Sequence, residues 1–399
     1  MHPANSRLSL SLPGWADKRS AWQAPIPNKF IIGILTGEGV GPELMSASGE
    51  VLKAIQRNSP YNFEIRYGDL IGNAAKKEFG KSLTPEVITW SESIFSDGGA
   101  ILCGPAGNRF VYEMREQFDL FCKLTPVRPS PALFDTGVLR PDALENVDMV
   151  LVRENTGGLY FGEWNWKTDP LGNDEVKHTF SYCADEVRRI VDIGVKLAKR
   201  RRGRLSMVVK PDGVPGISKL WTDIFRDFVQ GTNLETSVLE IDNASYQIIA
   251  SASEFDVIVA PNLFGDILAD VAALLLGSRG LSYSGNFSAN GIATYQTGHG
   301  AAYDIAGKGI ANPIGLILST ALMFRESFGL FDIATAIEEA VKKTLASGIR
   351  TPDISSLCGT VVGTKEMGRR IAEAIDRELQ TKNIPSPLRE QQLQKVGKS

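Results

Sequence analysis

The sequence has little of the charge, or of the long apolar runs, that would tie it to nucleic acid or to a membrane. Its 399 residues carry a formal net charge of only −3, so no strong overall field of either sign favours nucleic acid or an anionic lipid surface. No uncharged apolar stretch reaches the roughly 18 residues of a membrane-spanning helix. We therefore expect a soluble protein that acts on a small molecule.

The cysteines are few and scattered. They form no C-x-x-C pair, which argues against a zinc centre and against a redox dithiol. Their positions are Cys103, Cys122, Cys183 and Cys358. Isolated thiols fit a reducing compartment, so we expect a cytoplasmic protein.

Both ends of the chain lack the pattern of a folded element. Residues 1–28 have no continuous apolar core of signal-peptide length, and we interpret them as a flexible N-terminal arm. Residues 381–399 are polar and are expected to form a frayed tail. The chain as a whole is 43% hydrophobic, which is enough to bury the cores of two domains.

Short apolar runs alternate with amphipathic stretches and predict an α/β fold. Strands are expected in KFIIGIL, GAILCG, VDMVLVR, RLSMVVK and FDVIVAP, with helices such as DEVRRIVDIGVKLAKRR between them. This order predicts a mixed sheet with helices on its faces. The glycine-rich residues 276–316 show few helix formers and little alternation, so we expect an ordered loop with a function.

The first strand runs into the glycine-rich turn TGEGVGPE. Its glycines, Gly37, Gly39 and Gly41, do not follow the first, third and sixth positions of the dinucleotide-binding fingerprint. A tight turn from strand to helix is the better interpretation of this segment alone.

Several aspartates have the spacing of ligands for a divalent cation. Asp266 and Asp270 lie four residues apart in NLFGDILADVAALLLG, so on a helix both carboxylates share one face. Two hard oxygen ligands suit magnesium or manganese. Asp242, between a predicted strand and a predicted helix, is a candidate third ligand or a helix N-cap. A solvated helix face is the alternative for the pair, although its neighbours are strongly apolar.

Basic and aromatic residues at predicted strand ends suit a carboxylate substrate. Arg153 can bind a carboxylate through two hydrogen bonds, and Tyr160 can deliver a proton to carbon. Lys210 can act as general acid or base if a nearby cation and partial desolvation lower its pKa. Arg115 and Arg128 are further candidates for binding carboxylates. Each of these residues could instead be a surface charge.

The segment TGHGAAYDIAGKGIANP contains one of only three histidines. His299 lies between glycines, where the backbone can approach a ligand closely, although an isolated histidine is more often structural. Asp304 could accept hydrogen bonds from a ribose diol and would repel a 2′-phosphate.

Four segments together resemble the β-decarboxylating dehydrogenase family of isocitrate, 3-isopropylmalate, homoisocitrate and tartrate dehydrogenases. They are TGEGVGPE, RENTGGLYFGE, FDVIVAPNLFGDILAD and HGAAYDIAGKGIANP. Between about Ile31 and Leu379 they stand in family order at family-like spacing, which is far more specific than any one motif.

The resemblance implies an isopropylmalate dehydrogenase-like fold of two α/β domains, in a homodimer whose active sites are shared between subunits. The large domain is discontinuous and takes residues 29–120 and 277–380, with an NAD-binding loop at 295–313. Residues 121–276 form the small domain, with metal, substrate and dimer elements.

The resemblance also implies roles for single residues. Tyr160, Lys210 and Asp242 match the catalytic set, and Arg115 and Arg153 match two substrate-binding arginines. The ligands of Mg²⁺ or Mn²⁺ match Asp242, Asp266 and Asp270. The positions that bind the adenosine of NAD match His299, Gly300, Asp304, Ile305 and Asn312. Asp304 with Ile305 resembles the pair typical of NAD use, where relatives that use NADP tend to have lysine and tyrosine.

The implied reaction oxidises a 2-hydroxy acid that carries a second carboxylate at C3. A divalent cation holds the C2 hydroxyl and the adjoining carboxylate, Lys210 with Asp242 assists removal of the hydroxyl proton, and hydride moves from C2 to NAD. The β-keto acid then loses carbon dioxide, and Tyr160 helps to protonate the enolate at carbon.

The chain departs from the family pattern around the substrate. Thr125 stands where relatives usually carry a third substrate-binding arginine, and Arg128 is a candidate substitute. Asp212 replaces an asparagine, and Gln296 replaces a glutamate near the nicotinamide.

The residues expected to contact the C3 substituent match neither isocitrate nor isopropylmalate enzymes. They are Asn108, Arg109, Val111 and Tyr112. We therefore expect an unusual 3-substituted malate, with a polar or anionic group facing Arg109.

Other functions stay open. A tartrate- or D-malate-type dehydrogenase would not require a branched substrate. A non-catalytic regulatory subunit of an isocitrate dehydrogenase would keep the fold without turnover, although retention of Lys210, Tyr160 and the three aspartates argues against it. A generic ligand-binding α/β protein would show no metal dependence.

Overall fold

The computed structural model describes residues 29–356 and 359–382. The predicted N-terminal arm, Cys358 and residues 383–399 of the predicted tail lie outside the described residues. None of the helices within the described residues combines the length and the apolar character needed to cross a membrane.

The described strands and helices alternate along the chain. The strands are β1 Lys29–Leu35, β2 Asn62–Tyr67, β3 Ala100–Cys103, β4 Cys122–Val127, β5 Met149–Glu154, β6 Glu163–Thr168, β7 Asp174–Thr179, β8 Arg204–Val209, β9 Glu235–Glu240, β10 Val257–Ala260, β11 Tyr283–Phe287, β12 Ala293–Thr297, β13 Ile349–Arg350 and β14 Thr360–Val361. The α-helices are α1 Gly41–Asn58, α2 Gly72–Phe79, α3 Pro85–Ser96, α4 Phe110–Gln117, α5 Ala184–Arg200, α6 Pro215–Val229, α7 Ile241–Ala250, α8 Asn262–Ala272, α9 Ile314–Glu326, α10 Phe331–Ala346 and α11 Thr364–Lys382.

One mixed ten-stranded sheet runs through the molecule, in the order β2-β1-β3-β12-β11-β4-β5-β10-β8-β9. Strands β2, β1, β3 and β12 are mutually parallel, as are β5, β10, β8 and β9, and antiparallel pairings of β11 and β4 join the two sets. Helices cover both faces, so the predicted α/β class with a mixed sheet is confirmed.

The strand order also bears on the predicted division into domains. The first five strands of the sheet come from residues 29–120 and 277–380, and the other five come from residues 121–276. This order supports the predicted division, which stays a prediction.

The glycine-rich residues 276–316 are not wholly loop, and this part of the sequence interpretation was wrong. They contain β11 and β12, which pair antiparallel in the middle of the sheet. All five residues of β11 are buried. A strand buried on both faces has no reason to alternate apolar and polar residues, so its sequence carried no period of two.

Amphipathic helices form where apolar residues recur at helical spacing. In α5, Val187, Ile190, Val191 and Leu197 are buried, whereas the charged residues between them face outward. α3 begins at Pro85, and the Thr84 hydroxyl caps it by accepting a hydrogen bond from the Val87 N–H at 3.3 Å.

The amino ends of β5 and β10 are tied together by a buried ion pair. The Arg201 Nε donates to Asp256 at 2.7 Å, and the two side chains are 2% and 0% exposed. Asp256 also accepts the Arg202 backbone N–H at 2.8 Å, while Arg201 reaches Asp148 at 2.8 Å. These contacts hold the amino ends of the strands in place. In α/β proteins the polar side chains that bind ligands usually lie at the opposite, carboxyl ends.

We predict that Asp256→Asn lowers the free energy of unfolding by about 3 kcal/mol, because it leaves Arg201 buried without its full counter-charge. Urea unfolding of the ligand-free protein measures this loss. Asp185→Asn is the matched control, since its ion pair with Arg188 is mostly exposed and should change stability by less than about 0.5 kcal/mol. A loss below about 1 kcal/mol for Asp256→Asn would contradict the role of this ion pair.

Candidate functional site

Most of the predicted site residues fall into three groups in the structure, together with neighbours that were not predicted. Residues at the carboxyl end of β5 and beside it form a group that we call the strand-end cluster, consisting of Arg115, Lys123, Arg153, Tyr160, Asp266 and Asp270. A lysine cluster of Lys210, Glu240 and Asp242 lies at the ends of β8 and β9. The third group lines a cleft beside the loop that follows β12.

Arg153 joins β5 to the first turns of α8. Its guanidinium is 3% exposed, donates to Asn262 Oδ1 at 2.6 and 3.0 Å, and forms an ion pair with Asp266. Gly265 permits this approach, because a Cβ there would lie 2.9 Å from the Arg153 side chain. The arginine therefore fixes the position of the helix that carries two of the three predicted metal ligands, Asp266 and Asp270.

Tyr160 completes the cluster above Arg153. Its hydroxyl donates to Asp266 Oδ2 at 2.8 Å, and its ring lies 5.6 Å from the Arg153 guanidinium. Burial, the negative charge of Asp266 and this hydrogen bond raise the pKa of Tyr160 well above its ordinary value. The phenol therefore keeps its proton at neutral pH and is suited to act as an acid.

Aromatic and basic residues of the loop before α4 and of its first turns flank Tyr160. The Tyr112 ring meets the Tyr160 ring edge to face at 5.5 Å between centroids. Arg109 lies over the rings of Tyr112 and Trp164, at 5.1 and 5.5 Å, and donates to the Tyr160 carbonyl oxygen at 3.3 Å. Asn108 caps the Arg109 backbone N–H at 2.9 Å. Asn108, Arg109 and Tyr112, three of the four residues predicted to face the C3 substituent, therefore lie beside Tyr160.

Two further cations of the strand-end cluster are buried. Arg115 and Lys123 are 5% and 6% exposed. Burial and the nearby charge of Arg153 lower the pKa of Arg115 to about 9. Burial, Arg153 and Arg115 lower the pKa of Lys123 to about 7. Burial is the larger cause of both shifts, and the neighbouring arginines add to it.

Asp266 and Asp270 lie one turn apart on α8, as their spacing predicted. Burial alone would raise the pKa of Asp266, but Arg153 and Lys123 outweigh it and lower that pKa below its ordinary value. Asp270 is about half exposed and forms an ion pair with Arg279 at 2.9 Å. Asp266 is therefore ionised, and the two carboxylates share one face of a rigid helix, an arrangement that suits a hard divalent cation.

Lys210 and Asp242 do not meet Asp266 within one chain. Lys210 donates to Glu240 and to Asp242, at 2.8 Å in each case, and these hydrogen bonds raise its pKa. The lowered pKa that the sequence suggested depends on a cation near the lysine, and it stays a prediction. In the described part of the chain, no three acidic, histidine or cysteine side chains gather closely enough to hold a metal ion.

The third group lines a cleft of about 440 Å³. All five residues predicted to bind adenosine line it, together with Arg279 and Asp353: His299, Gly300, Asp304, Ile305 and Asn312. Asp304 is exposed. Burial lowers the pKa of His299, so its ring is neutral at pH 7. The Asn312 amide is held by Asp353 at 3.1 Å and by the Ile314 N–H at 3.0 Å.

The turn TGEGVGPE packs against the loop that lines this cleft. The Val40 N–H donates to the Ala301 carbonyl oxygen at 2.8 Å, and Tyr303 donates to Glu38 at 3.0 Å. Gly39 has φ +57°, and a Cβ there would lie 1.9 Å from the Ala301 oxygen. The glycines of this turn thus serve close packing against the cleft loop.

Arg128 is not brought to the strand-end cluster, which corrects the suggestion that it replaces a missing arginine. It donates to Asp148 at 2.8 Å near the amino end of β5. It follows β4 and lies five residues beyond Lys123, roughly 16 Å along an extended chain. Thr125 is buried on the same face of β4 as Lys123 and brings no charge.

Sequence reasoning missed three residues of the site. Lys123 stands in an otherwise apolar buried strand, and a lysine at such a position was the available signal. Asn262 and Tyr182 gave no such signal: Asn262 holds Arg153, and the Tyr182 hydroxyl accepts the Asn262 N–H at 2.9 Å. These two residues position others through the fold.

Comparison with known proteins gives consistent results. Residues 31–371 match the family model described as isocitrate/isopropylmalate dehydrogenase. The 3-isopropylmalate dehydrogenase of Bacillus subtilis (strain 168) is 38% identical, over 81% of this chain and 91% of its own length. That of Geobacillus kaustophilus (strain HTA426) is 37% identical, over 87% and 95%. The crystal structure of isocitrate dehydrogenase from Methylococcus capsulatus is similar with a TM-score of 0.76 and 29% identity, covering 87% of this chain and 99% of that one.

We predict that Gly39→Ala weakens binding of NADH, the ligand expected in the cleft, by about tenfold or more, because the added methyl group must displace the Ala301 carbonyl. Fluorescence titration with NADH measures this. Gly80→Ala is the matched control: Gly80 also has positive φ, +79°, but its Cβ would meet nothing within 4 Å. Equal NADH affinity in Gly39→Ala and Gly80→Ala would show that the close packing of Gly39 against Ala301 does not affect NADH binding.

Proposed function

Because the chain belongs to the isocitrate/isopropylmalate dehydrogenase family and is a decarboxylating dehydrogenase of that type, we propose that it oxidises and decarboxylates a 3-substituted malate. Isopropylmalate dehydrogenases of the family use NAD and Mg²⁺ or Mn²⁺. The products would be a 2-oxo acid, carbon dioxide and NADH. The observation that carries the substrate class is the excess of buried positive charge in the strand-end cluster.

That excess calls for an anionic substrate with more than one carboxylate. Arg115, Lys123 and Arg153 are all buried, and among them only Arg153 is paired with a carboxylate, that of Asp266. The Nε of Arg115 is buried and has no hydrogen-bond partner among the described residues. Buried cations are stable only when paired, so a substrate with at least two carboxylates would complete this cluster.

A divalent cation fits the two aspartates of α8 once a third ligand is added. When bound, it would polarise the hydroxyl and carbonyl oxygens of the substrate. Asp266 and Asp270 offer ionised oxygens at the edge of the cluster. Asp242 of a second copy would be the third ligand, because within one chain it lies with Lys210 instead.

The chain's own residues would then divide the proton transfers. Lys210 with Asp242 would assist removal of the proton of the C2 hydroxyl. Tyr160, which keeps its proton at neutral pH, would donate it to carbon after loss of carbon dioxide. Asp266 orients the tyrosine through the 2.8 Å hydrogen bond to its hydroxyl.

NAD fits the cleft next to this cluster. Bound there, it would accept the hydride from C2 of the substrate. Asp304 is exposed in the cleft, and in the described residues no hydrogen bond occupies its carboxylate, so it can accept hydrogen bonds from a ribose diol. The same negative charge would repel the 2′-phosphate of NADP.

A homodimer would bring the lysine cluster to the strand-end cluster. The helices that carry Asp242 and Asp266, α7 and α8, pack together and expose large apolar side chains: Tyr246 is 69% exposed and Ile267 is 45% exposed. The β6–β7 hairpin also exposes Trp164 and Trp166. Such apolar surface favours association with a second copy.

The free thiols are consistent with a reducing compartment, and we propose that the protein acts in the cytoplasm. Cys103, Cys122 and Cys183 are free, and burial raises the pKa of Cys103 and of Cys122. The two buried thiols are therefore unreactive at neutral pH.

The proposed reaction is tested by following NADH absorbance and carbon dioxide release with Mn²⁺ and NAD, over a panel of acids. The panel is 3-isopropylmalate, isocitrate, homoisocitrate, D-malate, tartrate and 3-phosphonomethylmalate. We expect NADH and carbon dioxide in equal amounts from at least one 3-substituted malate. NADH without carbon dioxide, from tartrate alone, would contradict decarboxylation, and faster reduction of NADP would contradict the role of Asp304.

We predict that Asp270→Asn raises the Mn²⁺ concentration for half-maximal turnover by about tenfold or more, because one ionised ligand is lost from an exposed position. The fold should be kept, as judged by circular dichroism. Asp223→Asn, on the exposed face of α6, is the control and should leave the metal dependence unchanged. An unchanged Mn²⁺ requirement in Asp270→Asn would refute the metal assignment.

A further inference from the structure

Lys123 is the buried cation that no predicted role accounts for. It is 6% exposed, in a strand whose six residues are all buried. Within the described residues its ammonium has no hydrogen-bond or ion-pair partner, although a lysine buried without a partner is costly. A bound anion would give this buried charge a partner.

The register of the sheet places Lys123 in the strand-end cluster. On β4 it stands directly opposite Arg153 of β5 on one side and Asn286 of β11 on the other. Residues opposite each other in antiparallel strands project to the same face, with Cβ atoms about 5 Å apart. Lys123 and Arg153 therefore approach the same space, the one that Arg115 also enters from α4.

Like charges directly opposite each other destabilise a sheet. Asp266 offsets Arg153, but no carboxylate lies within 4.0 Å of the Lys123 ammonium. The lowered pKa of Lys123, caused by burial and by the two arginines, has the same origin. An anion bound between the three cations would remove the repulsion.

We propose that Lys123 is a substrate-binding residue, whose ammonium donates to a carboxylate of the hydroxy acid between Arg115 and Arg153. This inference rests on the proposed function, and it supplies the third cation that neither Thr125 nor Arg128 provides. A lysine ammonium is a compact charge with three rotatable donors, whereas an arginine presents a planar fork. The lysine therefore presents a point charge to this carboxylate, and its position in the pocket helps to determine which acids are accepted.

The test uses Lys123→Met, which keeps length and apolar stem and removes the charge, and Lys123→Arg, which keeps a charge. Kd for D-malate in the presence of Mn²⁺ is measured by calorimetry, and KM and kcat are measured with the acid that the wild type oxidises best. We expect Lys123→Met to raise Kd and KM by about 10- to 100-fold, the worth of one hydrogen bond to a charged group. Lys123→Arg should recover part of this loss.

The unfolding temperature separates substrate binding from a structural role. Removing an unpaired buried charge should leave the unfolding temperature of the ligand-free protein unchanged or higher in Lys123→Met. A structural lysine would give a lower unfolding temperature with unchanged Kd and KM, and that result would overturn the proposal. Lys196→Met, on the exposed part of α5, is the control and should match the wild type in each measurement.

Failure of the proposed function gives a different result. A wild-type protein that binds none of the acids with Mn²⁺ would refute both the reaction and the role of Lys123. A wild type that turns over an acid, with Lys123→Met matching it in KM, would refute the lysine alone.

Discussion

The ion pair between Arg153 and Asp266 is the contact on which the site depends. It joins the end of a central strand to the first turns of α8 and is completed by Asn262, which is itself held by Tyr182. Because Asp266 also accepts a hydrogen bond from the Tyr160 hydroxyl, one carboxylate orients both Arg153 and Tyr160. The site at the strand ends is therefore preorganised, because the sheet holds the residues that form it in place.

Charge rather than shape defines what this site can hold. Three buried cations share one face, and a single carboxylate is paired with them directly. Burial lowers the pKa of Arg115 and of Lys123, and an anionic ligand bound between the cations would stabilise their charged forms. A hydroxy acid with two or more carboxylates fits that requirement, and the cleft beside it fits the adenosine part of NAD.

Much of this could be predicted from the sequence, since strands and helices followed local patterns. The α/β fold class and the alternation of strands with helices could be read from the apolar runs of β1, β5 and β10 and from the helical period of α5. Asp266 and Asp270 lie on one helix face because their spacing requires it. The strands β11 and β12 were missed, because a strand buried on both faces shows no alternation. Arg128 was misplaced, since only the sheet register decides which end of a strand a side chain reaches.

The contribution of Lys123 depends on contacts between distant segments, and so does the separation of Lys210 from Asp266. Neither can be read from spacing along the chain. In the proposed function, a second copy brings the lysine cluster and the strand-end cluster together into one active site.

Complementation between two impaired variants tests this directly. Lys210→Met and Asp270→Asn are purified as homodimers and as a doubly tagged heterodimer, in which one of the two sites receives only wild-type residues if the site is shared. At Mn²⁺ concentrations well below the wild-type half-maximal value, our account predicts two homodimers with about a tenth or less of the wild-type turnover and a heterodimer with about half of it per dimer. A heterodimer as inactive as its parents, beside a fully active tagged wild type, would contradict a site built from two copies.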